Sequence, residues 1–168
     1  MVTCFSPLAS PDAKVLILGS FPGKESLQKQ EYYAHPRNAF WFIIRTLFGL
    51  DDSLSYLERA QALKSNRVAL WDVLLSCHRV GSLDSGIDDT TIHVNDFGLF
   101  FREYKEIDWI FFNGLKAEKE YQRRVVPSVG SLRNTLQYCR LPSTSPAMAM
   151  LTRDQKLAQW ATILEKLV

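Results

Sequence analysis

Apolar residues along this chain fall into short runs and longer stripes that alternate with one another. The segment "KVLILGS" is an apolar run closed by glycine, and it reads as a buried strand at Val15 to Leu18. From Phe40 the spacing changes: Phe40, Ile43, Ile44, Leu47 and Phe48 form one helical stripe that faces a core. Gly49 is placed to end that helix. The alternation recurs three more times. "SLSYLERAQALKS" reads as a helix before the strand "VALWDV", "DFGLFFREYKE" precedes "DWIFFNG", and "LKAEKEYQRRV" precedes "LQYCRLP". The last segment opens on a Thr152-x-x-Gln155 capping box. It continues with Leu157, Trp160, Ala161, Leu164, Leu167 and Val168 on one face, which predicts a closing amphipathic helix. Four strands and about five helices predict an α/β fold, a parallel sheet covered on both faces within a single domain over residues 1–168.

Composition narrows the class without changing the fold. A chain of 168 residues buries about 70% of the surface it exposes unfolded, enough for a full core. No apolar run approaches the roughly 18 residues of a membrane span, and the first residues lack a basic segment leading into an apolar one. A soluble, cytoplasmic protein with no membrane partner is the expectation. Cys4, Cys77 and Cys139 are far apart and form no C-x-x-C pair, so neither a zinc or iron–sulfur site nor a disulfide framework is expected. The net charge of +2 supplies no whole-protein field, and any contact with nucleic acid must come from a local patch.

Ligands of open α/β sheets bind outside the carboxyl ends of the strands. The segments that follow the four strands are "GSFPG", "DVLLSC", "NG" and "PSTSPA", and they are expected to meet at one mouth. Ser20, directly after the first strand, invites a nucleophile reading. "LGSFPG" is not a G-x-S-x-G elbow, however, and no late histidine completes a triad. The stretch "EYYAHPRNAFW" joins a polar, aromatic entrance directly to a core helix. With Pro36 in the first helical position, Asn38 falls in the first turn, on the side opposite Phe40 and Leu47. Capping and a site role both remain open for Asn38, and His35 reads as a turn residue.

"GSFPG", "YYAHPRNAFW", "LWDVLLSCHRVGSLDSGI", "FFNG" and "PSTSPA", in that order, resemble the uracil-DNA glycosylase superfamily, most closely its hypoxanthine-DNA glycosylase branch. The resemblance spans about Val15 to Trp160. It implies a monomeric three-layer α/β/α sandwich around a four-stranded parallel sheet, and hydrolysis of an N-glycosidic bond in damaged DNA without metal or other cofactor. In the mismatch-directed uracil and thymine branch an asparagine in the first motif positions the attacking water, and Phe21 stands in that place here. The hypoxanthine branch puts its principal catalytic asparagine in the "HPRNAFW" motif, which is Asn38. Tyr33 matches the aromatic on which a flipped, deaminated base stacks. Gly19, Ser20, Phe21 and Asn113 fall among the base-binding positions. Ser143, Thr144, Ser145, Pro146 and Ala147 match the loop that grips the DNA backbone. Lys24, Arg37 and Arg153 are candidate phosphate counter-charges. Two other readings stay open at this stage: an enzyme directed at uracil or thymine mismatches, and a non-catalytic binder of damaged DNA.

Overall fold

A computed structural model describes all 168 residues. The first half of the chain forms β1 (Val2–Thr3), β2 (Val15–Gly19), α1 (Lys24–Lys29), α2 (Phe40–Phe48), α3 (Tyr56–Ser65), β3 (Val68–Asp72) and β4 (Leu74–Cys77). The second half adds β5 (His93–Val94), α4 (Phe97–Glu103), β6 (Trp109–Asn113), α5 (Leu115–Glu120), α6 (Val126–Val129), β7 (Gln137–Leu141), α7 (Arg153–Trp160) and α8 (Thr162–Glu165). The central sheet has the order β3-β2-β6-β7 with every pair parallel, so the four strands are those anticipated from the apolar runs.

Residue alternation along the strands sends side chains to two separate cores. Leu16, Leu18, Ala69, Trp71, Ile110 and Phe112 pack with Phe97, Phe100 and Phe101 of α4 and Ala117 of α5. Val15, Ile17, Val68, Leu70 and Phe111 pack on the other face with Phe40, Ile43 and Ile44 of α2, Leu63 of α3, and Trp160 and Ile163 of α7 and α8. All five residues of β2 are buried, which explains why its sequence is continuously apolar rather than alternating. The chain leaves β2 toward β3 on one side and leaves β6 toward β7 on the other. The switch between the two directions lies at the ends of β2 and β6, at Gly19 and Asn113.

The structure corrects three expectations. "DVLLSC" does not run as a loop along the mouth: after Asp72 the chain forms β4, which pairs antiparallel with β1 and β5 in a second small sheet. Helix α2 begins at Phe40 and not at Pro36. Asn38 stops it from starting earlier: its backbone N–H donates to the His35 carbonyl, and its Oδ1 accepts the Phe40 N–H at 2.9 Å, a local turn that competes with helical bonding. The closing helix breaks after Trp160 and resumes at Thr162, so that Leu164 and Val168 are exposed and the buried positions are Lys156, Trp160 and Ile163. No helix is long and apolar enough to cross a membrane.

Candidate active site

A cavity of about 790 Å³ opens at the carboxyl edge of the central sheet. Gly19, Ser20, Phe21, Tyr33, Arg37, Asn38 and Asn113 line it together with the Ser143–Ala147 loop. The expected mouth therefore assembles from segments that lie more than a hundred residues apart in sequence. Lys24 and Arg153 lie outside it: Lys24 is exposed at the start of α1, and the Arg153 guanidinium lies 3.8 Å from the centre of the Phe42 ring. Trp41 and Trp71 are core residues whose indole N–H groups donate to the carbonyls of Tyr32 and Phe5.

Tyr33 is held by strain and stacking. Its φ of +54° puts a bulky residue in the left-handed region, at a cost of about 1–3 kcal/mol that surrounding packing must offset. Its ring stacks on Phe40 at 4.1 Å between centroids, which fixes the ring against the first turn of α2. Burial pushes its phenol pKa well up, the Asp72 charge adds to that, and the Asn113 amide acts in the opposite direction. The hydroxyl is buried without a hydrogen-bond partner.

Asn38 is half-buried, two residues ahead of α2. Because the Phe40 N–H can only donate, it decides which end of the Asn38 amide is oxygen, and that carbonyl keeps a second lone pair. His35 accepts the Arg37 N–H on Nδ1 at 3.1 Å, as a turn residue does.

Asn113 proves to be a clamp. Its Nδ2 donates to Thr144 Oγ1 and its Oδ1 accepts the Thr144 N–H, both at 2.9 Å, so the amide ties β6 to the serine-rich loop. The same loop receives the Ala39 N–H on the Thr144 carbonyl, at 3.0 Å. Gly114, with φ +94°, sits beneath it; a Cβ there would meet Ser143 Cβ at 3.0 Å. Within the loop, Ser143 Oγ accepts the Ser145 N–H and Ser145 Oγ accepts the Ala147 N–H. Each hydroxyl serves as an acceptor there and retains its own proton for a further acceptor, such as a phosphate oxygen.

Sequence reasoning assigned Asp72 no part, and the structure places it in the cavity wall at the end of β3, 4% exposed. Its Oδ2 has no hydrogen-bond partner. Burial raises its pKa from 3.8 to about 7; the Asp84 charge raises it further and Arg79 opposes both. A Cβ on Gly19 would lie 2.5 Å from Asp72 Oδ1 and 2.8 Å from Tyr33 Oη, so glycine is the residue that lets both groups close on the strand end. No sequence signal marked this, because the perturbation comes from burial in the folded cavity wall and from the charge of Asp84, which only the fold brings to the same wall. Asp84 itself accepts the Ser20 hydroxyl at 2.6 Å, which engages the would-be nucleophile. Phe21 is buried, with the Arg79 guanidinium over its ring at 5.3 Å.

The profile of the Uracil DNA glycosylase superfamily matches residues 6–168. The chain belongs to that superfamily, and this places it among DNA glycosylases, hydrolases of N-glycosidic bonds. Among its relatives are two hypoxanthine DNA glycosylases. A Hypoxanthine DNA glycosylase of Methanosarcina barkeri is 38% identical over 114 residues, covering 67% of this chain and 71% of the relative. One of Methanosarcina acetivorans is 38% identical over 133 residues, covering 74% and 83%. The solution NMR structure of a Methanosarcina acetivorans protein, provisionally described as a uracil DNA glycosylase, superposes with a TM-score of 0.79 at 32% identity and covers 97% of this chain and 96% of that one.

Proposed function

We propose that this protein is a monomeric, monofunctional DNA glycosylase that removes deaminated bases, hypoxanthine first, from DNA. The observation that carries the reading is the joint presentation of an oriented Asn38 carbonyl and a strained, stacked Tyr33 to one cavity. A base in a duplex is out of reach of such a cavity until it is flipped, at a cost of a few kcal/mol that is lowest for damaged or mispaired bases. Hypoxanthine pairs poorly with thymine and meets that condition. Tyr33 then offers its ring as a platform for the extruded base.

The chemistry needs little nucleophilic push. As the N-glycosidic bond breaks, its electron pair goes to the base and positive charge develops on the sugar. A water oxygen then bonds to the sugar carbon, and its proton leaves to solvent while the departing base gains one. The Asn38 carbonyl has no basicity to abstract a proton, but its free lone pair can align the water. Backbone N–H groups of the Gly19–Gly23 turn stabilise charge on the leaving base. Asp72, in the cavity wall, supplies a polar contact for the base edge. Phe21 is apolar and buried, so the alternative water-holding position of the mismatch-directed enzymes has no polar group here. No lysine lines the cavity, which favours hydrolysis over a Schiff-base lyase.

The test uses end-labelled duplexes carrying hypoxanthine, uracil or xanthine, incubated in excess chelator and then divided with and without alkali. Strand breaks at hypoxanthine that appear only after alkali are expected. Breaks without alkali would indicate a lyase, and intact hypoxanthine duplex would overturn the assignment.

Tyr33 provides a second check. Tyr33→Ala is expected to lose about 1–3 kcal/mol of base contact, read as weaker single-turnover half-saturation, while Tyr33→Phe keeps most of it. Because the hydroxyl is buried without a partner, Tyr33→Phe should melt no lower than wild type. Equal losses in both variants would transfer the role from ring to hydroxyl.

A further inference from the structure

Helix α7 carries a lysine where its core-facing stripe calls for an apolar residue. Lys156, Trp160 and Ile163 follow at i, i+4 and i+7, and Lys156 is 4% exposed. Its Nζ donates to the Ser145 carbonyl at 3.1 Å, and none of the ion pairs of the fold includes it. Four residues on, Trp160 Nε1 donates to the Pro142 carbonyl at 2.9 Å, so α7 holds the serine-rich loop from behind at two points. Burial pulls the Lys156 pKa below the ordinary lysine value. Its Cα lies near the amino end of α7, whose own dipole disfavours a cation.

A buried ammonium with one neutral acceptor destabilises a fold, and a neutral donor, as Trp160 shows, is enough to anchor a carbonyl. The charge is therefore kept for an anion that the free protein does not contain. The loop that it backs lines the cavity with Ser143 and Ser145, and that loop is bonded to Asn113 and to the residue after Asn38.

We infer that Lys156 is a positioning residue for DNA: from beneath Ser145 it supplies the positive charge that draws one backbone phosphate of the damaged strand onto the Ser143–Ala147 loop. This rests on the DNA-glycosylase reading above. It extends that reading to a residue outside the cavity lining and without direct contact to the base.

Two substitutions separate charge from anchoring. Lys156→Met keeps the stem and removes both charge and donor; Lys156→Gln removes the charge and keeps an N–H donor. Binding is measured on a duplex containing a tetrahydrofuran abasic analogue, which cannot be cleaved, at several salt concentrations. Both variants should bind about tenfold more weakly at low salt, with a salt dependence shallower by up to about one unit of log K against log salt, so that they converge on wild type at high salt. With hypoxanthine duplex, the half-saturating protein concentration should rise while the single-turnover rate at saturation stays within about twofold. Lys156→Met should melt at or above the wild-type temperature. Binding by Lys156→Gln that equals wild type, a loss that is the same at every salt concentration, or a lower melting temperature for Lys156→Met would each make the residue a structural anchor and overturn the inference. Wild-type protein that fails to bind or cleave the duplexes would overturn the DNA reading and this inference with it, whereas active wild type with variants indistinguishable from it would overturn the inference alone.

Discussion

Replacing Asn38 by alanine is expected to slow single-turnover base release by about 10²- to 10⁴-fold, the range for a positioned group that handles the attacking proton donor. The structure adds a second, smaller consequence. Asn38 Oδ1 accepts the Phe40 N–H, so the alanine variant also loses a helix-entry hydrogen bond worth about 1 kcal/mol and should melt a few degrees lower. The two effects are separable through Asn38→Ser. A serine hydroxyl can accept the Phe40 N–H and restore the melting temperature, but it ends short of where the asparagine amide reaches. Rate should therefore remain low while stability recovers. A rate that recovers in step with melting temperature would assign Asn38 to capping, and a folded Asn38→Ala protein with near wild-type rate would remove the catalytic assignment altogether.

The sheet and the mouth were legible because they rest on patterns that sequence carries locally. Continuous apolar runs such as Val15 to Leu18 can be satisfied only by a strand buried on both faces, and the Thr152 cap combines side-chain and backbone bonds within four residues. The second sheet escaped because β1 and β5 are two residues each and exist only through pairing with β4, across more than seventy residues in one case. The start of α2 was misplaced for a local reason: Pro36 suits a first helical turn, yet the Asn38 side chain takes the Phe40 N–H and forms a turn in its place. Lys156 was invisible as a buried group because a lysine breaks an apolar stripe and normally marks the solvent face. The clamp that Asn113 makes was hidden for a similar reason. Its neighbours in sequence left base contact and turn closure equally open, and its partner, Thr144, lies thirty-one residues away.

Asp72→Asn is expected to stabilise the protein above neutral pH while impairing it as an enzyme. Free aspartate ionises near 3.8, and burial in the cavity wall, helped by Asp84, raises the folded-state value to about 7. The folded-state pKa lies above the unfolded one, so between these two values the unfolded chain releases a proton that the folded chain retains. Wild-type stability contributed by this group is thus complete below pH 4, falls as pH rises toward 7, and stays low beyond it. A difference of about three pKa units corresponds to about 4 kcal/mol. Asparagine has nearly the same shape and does not titrate, so chemical denaturation at pH 5 and pH 8 should show a wild-type decline that the variant lacks, with the variant the more stable at pH 8. Cleavage should move the other way, by about tenfold, since an amide N–H₂ can stand where the base edge would meet a carboxyl oxygen in the cavity wall. A variant that loses stability at pH 8, or a wild-type decline that persists unchanged in it, would mean that Asp72 is ionised and solvated in the folded protein. Unchanged cleavage with the expected gain in stability would instead confine Asp72 to the wall of the cavity and leave the base edge to other groups.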